Sequence, residues 1–442
     1  MNKFKLMPPA EFIAPPKFSS QKSLGNGDAH KFHIRLICPR LRRRGFAALY
    51  FVGRKAMELN MLIINAEIFT MDGGLHYKNG FISVKDGKIF DLGDMSDSPF
   101  DDDVIDAKGG CVTPGLIDAH CHLGVFGDSQ SLQSSDESER NNPITPHLRI
   151  IDSVNPLDRY FAEARAGGVT TVVVSPGSTN VLGGQTAVIS TSGKRIDDMI
   201  IKSPCSLKCA FGDNPKTEHG GKGRSPQTRM ATAAMLRQAL YSAMDYGQRL
   251  ADIEREKPPL DLVSEALLML LDNRIPLHAH AHRADDIFTA IRIAEEFGIE
   301  LKIVHATEGH LIADELAKEK IDVMVGPALC ARTKPELYNL AFDNAAVLER
   351  AGVRLAIITD HPEIPINHLL LCAQLAVKGG MSREGALSAI TCDAAAIIGV
   401  DERLGKIHKN YDADLVVFNK NPLDFDAEVL YTISKGEKMY KK

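Results

Sequence analysis

The 442-residue chain is 44% apolar and 25% charged, ordinary proportions for a globular protein, and it is longer than one core usually serves, so two domains are expected. No apolar run approaches the roughly 20 residues a bilayer crossing needs, and eight cysteines without a CxxC pair suit reduced thiols in a cytoplasmic protein better than a disulfide framework. The net charge of −5 divides unevenly: residues 1–55 carry twelve Lys or Arg against Glu11 and Asp28, and the acidic remainder argues against nucleic acid as the main ligand.

Residues 1–56 are rich in Pro, Ser and basic side chains and lack sustained periodicity, so they are expected to form a disordered basic extension. Arg42, Arg43 and Arg44 before the apolar run 45–53 allow a targeting reading. That run is short, begins far from Met1 and ends in Arg54-Lys55 without a clear cleavage site. We therefore expect translation to start at Met57 or Met61; intact residues 1–56 in the native protein, seen by mass spectrometry, would refute this.

From Met61 onward, alternating strands separated by Gly and Asp turns are predicted over 62–69, 80–85, 88–92 and 103–107. Similar strands recur over 413–418 and 429–434. Neither group alone makes a stable sheet, so the two ends together predict a small β-sandwich domain, composed of residues 57–111 and 391–442.

The stretch Cys111 to Leu123 reads as an apolar strand entered through Pro114-Gly115 and closed by His120 and His122. Strand side chains alternate between faces, so both histidines share one face. They can grip one metal ion, or each can merely satisfy a buried hydrogen bond. Beyond it, strands over 169–175, 206–211, 275–281, 301–305, 321–325 and 354–359 alternate with helical periodicity over 285–297, 311–318 and 345–351. That alternation predicts an α/β fold with a (β/α)8 TIM-type barrel over 112–390, within which chemistry sits at the C-terminal ends of strands. His278, His280 and His282 follow each other at period two on one strand, with His278 deepest and packed or hydrogen-bonded. His305 and Asp360 each end an apolar strand, where a lone histidine is often structural and a carboxylate can cap the next helix.

The segment Thr113-Pro-Gly-Leu-Ile-Asp-Ala-His-Cys-His122 resembles the first barrel strand of the metal-dependent amidohydrolase superfamily. His280-Ala-His-Arg-Ala-Asp-Asp-Ile287 resembles the fifth-strand motif of the imidazolonepropionase-related amidohydrolases. Ala389 to Val400, Gly405-Lys-Ile407 and Asp412 to Phe418 resemble the superfamily's return into its accessory β-domain, and the resemblance covers about 57–440. It implies that His120, His122, His280 and His305 are metal ligands, with Asp360 a further ligand and the general acid/base. Lys208, within Ser206 to Gly212, matches a position where many binuclear relatives carry a carboxylated lysine bridging two metals. Other relatives use a carboxylate there or hold one metal, and Asp213 stands where Glu is more usual. His282 and Arg283 become pocket-wall candidates, His361 a substrate contact, and His310 an outer or surface residue. Arg332 and Lys334, after the seventh strand, suit a substrate carboxylate or form a solvated basic loop.

The implied cofactor is one or two divalent ions, most readily Zn2+, with Fe2+ or Mn2+ also suited to imidazole and carboxylate ligands. Such an ion acidifies water toward a pKa of about 7, and Asp360 can pass the released proton to a leaving nitrogen. The expected activity is hydrolysis of a C–N bond in a cyclic amide, an amidine or a peptide-like amide. Competing readings are a prolidase-like dipeptidase or carboxypeptidase, a lactonase or phosphotriesterase, and a non-catalytic oligomeric scaffold, against which the full histidine set argues. The expected partner is a small-molecule substrate, with neither nucleic acid nor membrane, and a homo-oligomer is left open.

Overall fold

The computed structural model describes residues 60–101, 103–126, 135–254 and 256–442, so the expected basic extension lies outside the described residues. Strands β1 (Asn60–Phe69), β2 (His76–Lys85) and β3 (Lys88–Asp94) form an antiparallel meander. β1 also pairs in parallel with β4 (Val104–Asp106) and β5 (Cys111–Pro114). Apolar alternation drives this layer: Ile63, Ile68, Ile82, Val84 and Ile89 are buried together.

At Gly115 the chain leaves this sheet. A Cβ there would lie 2.2 Å from Thr170 Oγ1, so only glycine lets this backbone pass against the Thr170 side chain. The next strand, β6 (Leu116–Cys121), begins one residue later and is buried along its whole length. With β7 (Val169–Val174), β9 (Ala187–Ser190) and β10 (Ile200–Lys202) it makes a four-stranded sheet ordered β10-β9-β7-β6. Between β7 and β9 lies β8 (Leu182–Gln185), which instead edges a six-stranded sheet with β11 (Leu207–Ala210), β12 (Leu277–Ala281), β13 (Leu301–His305), β14 (Asp322–Val325) and β15 (Leu355–Ile357). β11 to β15 run parallel, each pairing with the next. The helices between them lie over 284–297, 313–318 and 344–350. The chain is thus a mixed α/β protein.

The expected strands agree with these to within a few residues, and β13 coincides. β15 is shorter than the expected 354–359 because the chain turns away at Asp360, whose φ is +53°. Two further helices, at 229–251 and 262–271, fill the gap between the strands expected over 206–211 and 275–281. In the first, Met230, Tyr241 and Met244 are exposed, so apolar residues surround the axis and blur the 3.6-residue stripe.

β16 (Leu415–Phe418), β17 (Val429–Ser434) and β18 (Glu437–Lys441) return to the first sheet, giving the order β18-β17-β16-β5-β1-β2-β3 with β4 beside β1. Strands from both ends of the chain therefore share one sheet. β5 lies in the seam, parallel to β1 and antiparallel to β16. No helix among the described residues is long and apolar enough to cross a membrane. The seven cysteines among them are free thiols, and Cys205 and Cys209 are buried as small apolar residues.

Candidate functional site

The end of β6 is anchored from two sides. Asp118, fully buried, accepts at Oδ2 from Thr359 Oγ1 at 2.5 Å and from Thr359 N at 3.2 Å, while Oδ1 accepts from His120 N at 3.2 Å. Burial pushes its carboxyl up to about 7 against the opposing Thr359 bonds. His122 N donates to His361 O at 2.9 Å, which ties β6 to the segment after β15. Both histidines then turn the same way, as alternation requires. His122 Nδ1 donates to Ser175 O at 2.8 Å, so its Nε2 carries the lone pair. Asp360 Oδ1 lies 3.3 Å from His120 Nε2 and 3.4 Å from His122 Nε2.

A second histidine group meets this one. His305 Nδ1 donates to Gly326 O at 2.7 Å, and His282 Nδ1 pairs with Thr307 Oγ1 at 2.7 Å, which leaves both Nε2 atoms free. The rings of His282 and His305 stack with centroids 4.6 Å apart, and His280 packs edge-on to both. One nitrogen from each of His280, His282 and His305 lies within 4.8 Å of the others, and the same holds for His120, His305 and an Asp360 oxygen. His305 belongs to both groups. Its φ of +79°, next to Ala306 at +43°, places uncommon left-handed backbone beside the site.

The donor set fits a divalent ion. Both ring nitrogens of His280, Nε2 of His282 and Nδ1 of His120 are buried with no hydrogen-bond partner, a state that costs about 1–3 kcal/mol per group unless something coordinates it. Burial first, then neighbouring positive charge, drives His120, His280 and His282 well below the usual imidazole range and His305 down to about 4. All four are therefore neutral, the ligating form. Asp360 is held well below the usual carboxylate range: burial opposes this, but His305, His120 and His122 outweigh it.

Lys208, on β11, is fully buried with Nζ 3.2 Å from His120 Nε2. Burial pushes its amine down to about 8, against the attraction of Asp360. His278 is buried with both nitrogens unpartnered, so of the two expected states it is packed rather than hydrogen-bonded.

The other expected residues are placed as follows. His282 is more than wall, since its Nε2 joins the donor group. His361 is buried with its ring 4.4 Å from Tyr160, and its Nδ1 accepts from Ile366 N at 3.3 Å. Arg283 departs from the pocket-wall expectation: it pairs with Asp285 at 3.2 Å on the first turn of the following helix and is partly exposed. Arg332 is exposed and donates to Leu340 O at 2.7 Å. Lys334 lies 2.7 Å from Glu336 Oε1, so its ammonium already has a carboxylate. Asp213 pairs with Lys216 at 2.8 Å, and His310 is half-buried on a short 3-10 turn.

Sequence reasoning missed Glu336. It is 1% exposed, with Oε1 3.6 Å from His282 Nε2 and 3.8 Å from His280 Nε2. Burial would raise its carboxyl, but His282, Lys334 and the Asp213 N–H together hold it below the usual range. No periodicity marks it, because it follows Pro335 on a 3-10 turn outside any strand.

The amidohydrolase family model matches residues 111–439. A solved amidohydrolase from Thermotoga maritima MSB8 is 38% identical with a TM-score of 0.83, over 86% of this chain and all of that one. An imidazolonepropionase from Rhizobium rhizogenes is 25% identical over 86% of this chain and 95% of its own length. The amidohydrolase tasK of Hapsidospora irregularis is 29% identical over 80% of this chain, which spans only 38% of that longer protein.

Proposed function

Since the chain belongs to the amidohydrolase family and is thus a hydrolase of C–N bonds, we propose that it cleaves a cyclic amide, an amidine or a peptide-like amide at a divalent metal centre. His120, His122, His280, His305 and Asp360 are the ligands in this reading. The observation that carries it is the pair of donor groups, His280, His282 and His305 and His120, His305 and Asp360, each with its donor atoms within 4.8 Å of one another and with His305 common to both. A bound divalent ion supplies Lewis acidity, acidifying a water and polarising the substrate carbonyl.

The residues do the rest. Asp360 directs Oδ1 at His120 and His122, and its other oxygen takes the proton from the attacking water and delivers it to the leaving nitrogen. Asp118, through Thr359, fixes the strand end from which Asp360 projects. Lys208 is close enough to His120 for its amine, once carboxylated, to join two ions, which would make the centre binuclear. Zn2+ is the ion we favour.

We further propose that the two inner sheets are arcs of one (β/α)8 barrel over 112–390. Asp118–Thr359 would close one seam, and the turn at Thr186, whose N donates to Ser206 O at 3.0 Å, the other. Residues 57–111 and 391–442 would form the companion β-domain. Free thiols at seven positions fit a cytoplasmic location.

Elemental analysis of the full chain purified without chelators tests the centre. One or two equivalents of metal, lost on His120→Asn, are expected. A folded, metal-free chain that also refuses added zinc would overturn the reading.

A further inference from the structure

His280, His282 and His305 bring one ring nitrogen each within 4.8 Å of one another, and Glu336, on the loop after β14, reaches toward two of them. Two donors on one tetrahedral zinc stand about 3.4 Å apart when each bond is about 2.0–2.1 Å. Glu336 Oε1 lies 3.6 Å from His282 Nε2 and 3.8 Å from His280 Nε2, too long for hydrogen bonds but close to that ligand spacing. The other oxygen, Oε2, accepts from Asp213 N at 2.9 Å, so the carboxylate is aimed by backbone as well as by burial. Gly212 leaves room for it. A Cβ there would lie 2.4 Å from Glu336 Oε2, and the glycine's φ of +84° is one that side-chain-bearing residues rarely adopt.

A buried carboxylate needs a cation. Here Lys334 Nζ provides it at 2.7 Å, from a side chain that is 27% exposed and also reaches Asn214 Oδ1 at 3.3 Å. The ammonium can therefore swing toward solvent while the carboxylate stays in place.

We infer that Glu336 Oε1 is the fourth donor of a cation site whose other donors are Nε2 of His280, His282 and His305, and that the Lys334 ammonium neutralises this carboxylate until the ion arrives. The inference rests on the metal-centre reading above and divides its donors between two ions: this one takes His280 and His305, and the other keeps His120, His122 and Asp360. Loading is then an exchange: the divalent ion enters and Lys334 leaves Glu336.

The test is titration of the chelator-stripped full chain with zinc alone, followed by calorimetry and by elemental analysis of the loaded protein. Wild type is expected to take two equivalents. Glu336→Gln should keep the first step and bind the second at least about tenfold more weakly, on the scale of lost metal-site partners. Lys334→Gln should bind the second equivalent more tightly than wild type. A Glu336→Gln protein that titrates like wild type in both steps would overturn the inference while leaving the metal centre intact. Should Glu336→Gln fail to fold by circular dichroism, Lys334→Gln decides: a tighter second step supports the site, and an unchanged one overturns it. Wild type that binds no zinc at all removes the metal-centre reading itself.

Discussion

At the end of β6, His120 and His122 face a carboxylate, Asp360, that ends the strand segment tied to them through Thr359. At the end of β12, His280 and His282 face one, Glu336, that arrives from a loop. Each side also has a lysine, and the two differ in the same sense. Lys208 is fully buried beside His120, whereas Lys334 keeps partial access to solvent and pairs directly with its carboxylate. The first side is built from strand ends whose positions the hydrogen-bond ladder dictates. The second depends on a glycine, a turn and a partly exposed cation, none of them fixed by a strand ladder.

Breaking each side in turn should separate them. The largest effect is expected from Asp360→Asn, which should lower turnover by roughly 10²–10⁴-fold, the usual worth of a general acid/base, while the protein still retains metal. Retained activity would refute the assigned role.

The metal-free protein should next show acid sensitivity. His305 has a native pKa of about 4, below the ordinary imidazole value. Above about pH 6.5 it is neutral in both folded and unfolded chains. Between there and pH 4 only the unfolded chain binds the proton, so stability falls as pH falls, by up to about 3 kcal/mol from this group. Denaturant melts of the stripped protein across that window should show the loss, and saturating zinc should oppose it.

Gly212→Ala is a subtler lesion. Strain at positive φ and the clash with Glu336 should cost about 1–3 kcal/mol of stability, read as a lower melting temperature, and should disturb the Glu336 side while sparing His120 and His122. Arg332→Gln marks the small end of the scale. Its side chain is exposed and bonded to a carbonyl of its own loop, so stability should change by less than about 0.5 kcal/mol. A large rise in KM in that variant would restore the expectation that it grips a substrate carboxylate.

This contrast also explains what the sequence disclosed. Alternation placed His120 and His122 on one face at the end of β6, and His280 and His305 at or near the ends of β12 and β13, while their grouping with Asp360 as a ligand set came from the family resemblance. The strands from both ends were legible for the same reason. Glu336 was not, because nothing local tells a loop carboxylate after Pro335 to turn inward; the instruction lies in Gly212 and Asp213, more than a hundred residues earlier. Lys334 was read as a grip for a substrate carboxylate or part of a solvated basic loop because its partner Glu336 was unseen. The bounds of the helix over 229–251 were not read for want of a clean stripe, its exposed Met230, Tyr241 and Met244 matching its buried Leu236 and Leu240.

The seam around β5 sets a timetable. β5 lies between β1, made about forty residues earlier, and β16, made about three hundred later, and a single glycine separates it from the strand that carries His120 and His122. Contacts so distant in sequence form late in folding. The first two candidate ligands thus follow directly on a strand whose second neighbour, residues 415–418, is synthesised about three hundred residues later, so the sheet behind them is completed late.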